Sequence, residues 1–184
     1  MTQHACFGNL GDINDIDFCV PLQQLYDEHP SLLAKMGDFY SMVQQLETNK
    51  ENTDWSEAIA SLNDKLEIFV AELEPHSDRE EDILFEMMVK YIGREGGPIQ
   101  VMEYEHNTAK QNIKLFFEKV TDITVNHNQV SQEKAFELFN HIKIIYTTLT
   151  DHFMKEEQIL FPMAEKMLSD AEKEELALQF KTFK

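Results

Sequence analysis

Two stretches of the chain carry residues able to hold metal, in the same order. Residues 76–85 run from His76 through Glu80 and Glu81 to Ile83, Leu84 and Phe85. Residues 152–161 run from His152 through Glu156 and Glu157 to Ile159, Leu160 and Phe161. Both read H-x-x-x-E-E-x-I-L-F, 76 residues apart, and Met87 with Met163 and Lys90 with Lys166 extend the match. A lone H-x-x-x-E pair is unremarkable in an acidic chain with 7 histidines; the shared E-x-I-L-F extension is what chance does not readily supply. In an α-helix, positions i and i+4 lie about 40° apart around the axis, so each His and its Glu share one face a turn apart. Imidazole and carboxylate together suit iron, manganese or zinc.

The other half of the chain's chemistry repeats as well. Glu28-His29 and Glu105-His106 are 77 residues apart, and Phe39 and Phe116 keep that offset. From His29 to His76 is 47 residues, and from His106 to His152 is 46. The chain therefore reads as two helix pairs in tandem, a duplication rather than an array of short repeats. The candidate ligands sit in apolar stripes: His29 among Leu25, Leu32, Leu33 and Met36; His106 among Met102, Ala109 and Ile113; the two His/Glu pairs with Phe69, Leu84 and Met87 and with Ile145, Leu149 and Met163. Carboxylates aimed into such a core cost several kcal/mol each, on the order of a buried unpaired ion, unless cations meet them. His29, His76, Glu80, His106, His152 and Glu156 are thus expected to hold two metal ions. Four imidazoles, two carboxylates spanning both ions and an oxo or hydroxo bridge leave about one open position on each six-coordinate ion, enough for dioxygen, nitric oxide or peroxide. The pattern leaves open which histidines serve which ion.

Neighbouring residues read differently. On a regular helix Glu81 and Glu157 point away from their His partners, toward solvent. Glu28 and Glu105 are either surface residues or hydrogen-bond partners of the ligands or proton carriers. His141 shares a face with His152 from three turns away, too far to ligate, and His4 and His127 fall in tail and loop. One Glu-x-x-His pair, Glu103 with His106, fits the ferritin-type di-iron pattern, which needs two such pairs and two further Glu.

Four long helices must position these groups. Apolar residues recur at helical spacing from Pro21, with Leu22, Leu25, Leu32, Leu33, Met36, Tyr40 and Val43 on one side and Pro30 expected to kink the helix. A polar loop over 47–54 leads to a helix over 55–92, bent at Pro75. Gly93, Gly96, Gly97 and Pro98 make the clearest break. A third helix is expected over 98–120, a loop over 121–130, and a fourth helix from Ser131 to Leu168 with a kink at Pro162. Ser169 or Asp170 can cap a short fifth helix over 171–183. The expected architecture is all-α: an up-down-up-down four-helix bundle over 21–184, with an irregular N-terminal tail over 1–20.

Composition excludes other classes. The chain has 184 residues, 42% of them hydrophobic, room for one core. A formal charge of -18 argues against nucleic acid and anionic membranes as partners. No apolar run reaches the roughly 18 residues of a span, and the N-terminus lacks the basic and apolar regions of a signal peptide, so the cytoplasm is expected. Cys6 and Cys19 offer no disulfide framework, though they could form a reactive pair.

The run from His152 to Pro162, with its partner at His76, resembles the hemerythrin-like HHE domain, and more narrowly the di-iron proteins called repair of iron centres. The resemblance covers about residues 21–168 and includes the spacing of all six candidate ligands. The oxygen-carrying hemerythrins are similar but place a fifth His where this chain has Lys110, and an Asp five residues after the last His where this chain has Glu156 at four. The repair proteins often carry a separate N-terminal domain with adjacent cysteines, in place of which this chain has its tail. The resemblance implies a di-iron protein of nitrosative or oxidative stress that binds or reduces a small ligand, or mends damaged iron–sulfur proteins. The alternative is a non-enzymatic oxygen- or iron-sensing or iron-binding module.

Overall fold

A computed structural model describes residues 16–51, 53–125 and 130–183. Among these every regular element is helical. Helix α1 (Val20–Thr48) opens with Pro21 in its first turn, where a missing N–H costs nothing, and continues through Pro30 without leaving helical conformation. Helix α2 (Trp55–Arg79) starts at Asp54, whose carboxylate accepts from the amides of Ser56 and Glu57. A π turn, Glu80–Leu84, joins it to α3 (Phe85–Ile92), which ends on Gly93 at φ 71°. That left-handed conformation is cheap only for glycine. Helix α4 (Pro98–Val125) runs beyond the expected end at 120. Helix α5 (Gln132–Lys155) is capped by Ser131, and a second π turn, Glu156–Leu160, leads to α6 (Phe161–Met167). Pro162 lies in the first turn of α6, where a proline is tolerated. Helix α7 (Asp170–Thr182) begins with a full capping box between Ser169 and Glu172.

The four long rods are α1, α2 with α3, α4, and α5 with α6. Helix α1 packs on α2 and α5, and α4 packs on α5, α2 and α3, which closes the bundle. His29 lies early in α1 and His76 late in α2, and His106 early in α4 and His152 late in α5, so each pair meets at one level only because its helices are antiparallel. One apolar cluster, including Phe39, Phe69, Phe116, Phe139 and Ile142, fills one end of the bundle. A second, including Leu22, Leu25, Phe85, Met88, Ile99 and Phe161, fills the other. Phe39 is fully buried in α1, while Leu33 and Tyr40 are only partly so, packed at the edge of the first cluster. Helix α7 lies against α1 and the first π turn and adds Leu176 and Phe180 to the second cluster. No helix among the described residues is long and apolar enough to cross a membrane.

Candidate metal centre

Among the described residues seven polar side chains are buried, six of them His29, His76, Glu80, His106, His152 and Glu156, none more than 4% exposed. Aromatic rings wall the site: the His29 ring stacks on Phe153 at 4.4 Å and on Phe161 at 5.7 Å, and Phe85 lies 5.5 Å from His106. Both repeated sequences leave α-helical geometry at the same step. The amide of Phe85 donates to the carbonyl of Glu80, and that of Phe161 to Glu156, five residues back rather than four. A turn closed on the fifth residue advances less around the axis per residue, so two consecutive glutamates can both face inward.

The six side chains form two overlapping groups. His29, His76, Glu80 and Glu156 present ligand atoms within 4.8 Å of one another, and so do His106, His152, Glu80 and Glu156. Glu80 belongs to both groups through different oxygens: Oε1 lies 3.5 Å from His76 Nε2, and Oε2 lies 3.5 Å from His106 Nε2. Glu156 does the same, with Oε2 3.3 Å from His29 Nε2 and Oε1 3.1 Å from His152 Nε2. Each carboxylate therefore spans two histidine pairs, His29 with His76 and His106 with His152. The sequence left that pairing open.

Behind the histidines stands a second layer. Nδ1 of His76 donates to Glu28 at 2.8 Å, and Nδ1 of His152 to Glu105 at 3.3 Å, which decides for the hydrogen-bonding role of those two glutamates. Nδ1 of His29 meets Glu157 at 2.7 Å, and Nδ1 of His106 meets Glu81 at 2.5 Å. The expectation that Glu81 and Glu157 face solvent is corrected here: they are 30% and 29% exposed and bond histidines on the opposite helix pair. An ionised carboxylate only accepts, so each Nδ1 carries the proton and each Nε2 turns a lone pair inward. Arg79 binds both oxygens of Glu28, Lys110 both of Glu81, and Lys155 one of Glu105. Sequence reasoning did not single out Arg79 or Lys155; both stand three residues after a candidate ligand histidine, a signal visible in the repeat itself.

The electrostatics follow from this wiring. Burial alone pushes the Glu81 carboxyl up, but hydrogen bonds from His106 and Lys110 outweigh it and hold it at about 2. Glu28 and Glu105 are lowered in the same way, burial opposed by bonds to His76 and Arg79 and to His152 and Lys155. Burial alone pushes His152 down, yet the charge of Glu156 and the bond to Glu105 raise it to about 10. His29 and His106 rise as well, against burial, through Glu156 and Glu157 and through Glu80 and Glu81. Without metal, protons are the only positive charge that the two inner carboxylates can recruit.

Even so, the inner atoms are poorly met. Nε2 of His29 and of His76 and all four oxygens of Glu80 and Glu156 are buried with no hydrogen-bond partner among the described residues. Nε2 of His106 and of His152 lie 2.7 Å from each other, a contact two lone pairs cannot make without a cation or proton between them. Four imidazole nitrogens and four carboxylate oxygens converging on one dry space fit a pair of divalent ions.

Other candidates fall outside the cluster. His141 bonds Asn112 at 2.9 Å. Glu103 binds Arg94 at the surface. Cys19 is partly buried, and burial with the charge of Glu165 raises its thiol, which disfavours the reactive thiolate. Cys6, His4 and His127 lie outside the described residues.

Comparison with known proteins agrees with this geometry. The chain is 28% identical over 144 residues to the iron–sulfur cluster repair protein YtfE of Dickeya chrysanthemi, covering 78% of this chain and 62% of that protein. It is 28% identical over 140 residues to the protein of the same name in Escherichia coli K12, covering 76% of this chain and 60% of that one. The chain thus spans about six-tenths of the length of these relatives. The family model described as the hemerythrin HHE cation binding domain matches residues 20–164, which takes in all six buried ligand candidates and all four carboxylates behind them, and the chain belongs to that family.

Proposed function

We propose that this chain is a non-haem di-iron protein, with one ion held by His29 and His76, the other by His106 and His152, and Glu80 and Glu156 shared between them. The observation that carries this reading is the set of buried, unpartnered ligand atoms at one level of the bundle. Two iron ions bound there would supply a site for nitric oxide, dioxygen or peroxide and for one-electron chemistry. The chain's own residues do the rest. The histidine Nδ1–H groups, held by Glu28, Glu81, Glu105 and Glu157, fix ring orientation and make each Nε2 a better donor. Phe85, Phe153 and Phe161 keep the site dry and exclude competing ligands. The partly exposed Glu28, Glu81 and Glu157 give protons a path between Nδ1 and solvent.

The physiological role we infer is the one the relatives' names carry, iron–sulfur cluster repair, here in nitrosative or oxidative stress as the small-ligand reading of the site implies. Metal analysis of the purified chain tests the centre, with two irons per chain expected. Anaerobic loading with iron(II) followed by nitric oxide tests the ligand, with new visible absorption bands expected. A fully loaded protein whose spectrum nitric oxide leaves unchanged rejects the small-ligand role.

A further inference from the structure

The duplicated centre loses its symmetry in the outermost layer. Three of the four carboxylates behind the histidines end on a cation: Glu28 on Arg79, Glu105 on Lys155 and Glu81 on Lys110. Glu157, behind His29, forms an ion pair with no lysine or arginine among the described residues. The sequence explains the gap. Lys110 stands four residues after His106, and four residues after His29 stands Leu33, packed on the first apolar cluster. The His29–His76 pair is therefore backed by two carboxylates and one cation, and the His106–His152 pair by two carboxylates and two cations. Asp78 approaches Lys110 only to 3.9 Å and is 49% exposed, so solvent screens that contact.

A carboxylate that holds a histidine Nδ1–H makes the ring a stronger metal donor, and a cation on that carboxylate withdraws the effect. It also places a positive charge on the metal's side of the protein. At a partly exposed position, where solvent screens the charge in part, one ammonium group changes affinity for a divalent ion on the order of tenfold. Resting on the two-ion reading above, we propose that Glu157, left without a cation by Leu33, makes the His29–His76 position the tighter and first filled of the two ion sites, while Lys110, acting through Glu81, weakens the His106–His152 position. Glu157, Leu33 and Lys110 are positioning residues in this scheme: they touch no reacting atom and set the order of loading.

Cobalt(II) titration of the metal-free full chain, in competition with a chelator of known affinity and followed by visible absorption, tests the proposal. The native chain should show two binding events separated by roughly tenfold or more. Lys110→Leu, at a side chain 42% exposed, should tighten the weaker event roughly tenfold and merge the two. Lys110→Arg should leave them apart. Leu33→Lys should weaken the stronger event, but the proposal does not depend on that variant folding. Two equal events in the native chain, or Lys110→Leu moving neither, overturn the inference and leave the two-ion centre standing. No cobalt bound, or one ion per chain, refutes the two-ion centre itself.

Discussion

The same four helices bury phenylalanines at one level of the bundle and a ring of histidines and glutamates at another. At the first level Phe39, Phe69, Phe116 and Phe139 are completely buried, and each gains free energy simply by leaving water. At the second, Glu80 and Glu156 are buried just as completely, with no hydrogen-bond partner for any of their four oxygens. Desolvating those groups opposes folding until a positive charge arrives. The contrast teaches that the apolar end must carry the stability of the fold, so that the polar level, met only by protons without metal, can be shaped for metal. Stability and function are separated along the bundle axis.

Substitutions on the two sides should behave oppositely. Phe69→Ala or Phe139→Ala is expected to cost about 3–5 kcal/mol in denaturant unfolding, equally with and without metal. The double change Glu80→Gln with Glu156→Gln should leave the metal-free protein as stable or more so. It should also abolish the rise in melting temperature on adding metal, which reflects a stabilisation of about 4 kcal/mol for each ion when free metal is a thousand times its Kd. If the double variant unfolded as readily as Phe69→Ala without metal, the division between the two levels would be wrong. Glu81→Gln should be milder, lowering metal affinity about 10- to 100-fold in a chelator competition with little change in metal-free stability.

The pH dependence of the metal-free protein distinguishes the levels without mutation. His152 is raised to about 10, so its contribution is complete below the unfolded value of about 6.5 and is lost as pH rises through about 10. Glu81 is lowered to about 2, so its contribution is complete above about 4.5 and is lost as pH falls through about 2. Melting temperature should therefore peak between about pH 4.5 and 6.5, and metal should flatten the alkaline side by replacing the proton on His152. Phe69→Ala should lower this curve without reshaping it. The smallest effect expected is from Ser169→Ala, which removes one half of a capping box and should cost about 1 kcal/mol, seen as faster amide exchange confined to the start of α7.

Much of this was legible beforehand, and the failures have one origin. His76 and Glu80, and His152 and Glu156, could be placed together from spacing because the four-residue interval spans ordinary helix, up to the first residue of each π turn. His29 and His106 followed from the offset of the repeat. Glu81 and Glu157 were misjudged because one residue further on the backbone is no longer α-helical, and an ideal rotation sends them to solvent. Nothing local in E-E-x-I-L-F announces a π turn; it forms where two neighbouring carboxylates both find histidines to bind. The end of α4 lies five residues beyond the expected one because residues 121–125 carry no stop signal as strong as Gly93. Ser169, by contrast, carried its cap in its residue type and in Glu172 three residues later.

Each helical hairpin supplies two histidines, one shared glutamate and one π turn, yet borrows an outer carboxylate from the other: Glu81 serves His106, and Glu157 serves His29. One hairpin alone thus holds half a centre, and the other hairpin completes it. Each ion position draws side chains from both hairpins, so the centre is complete only once the two have packed together.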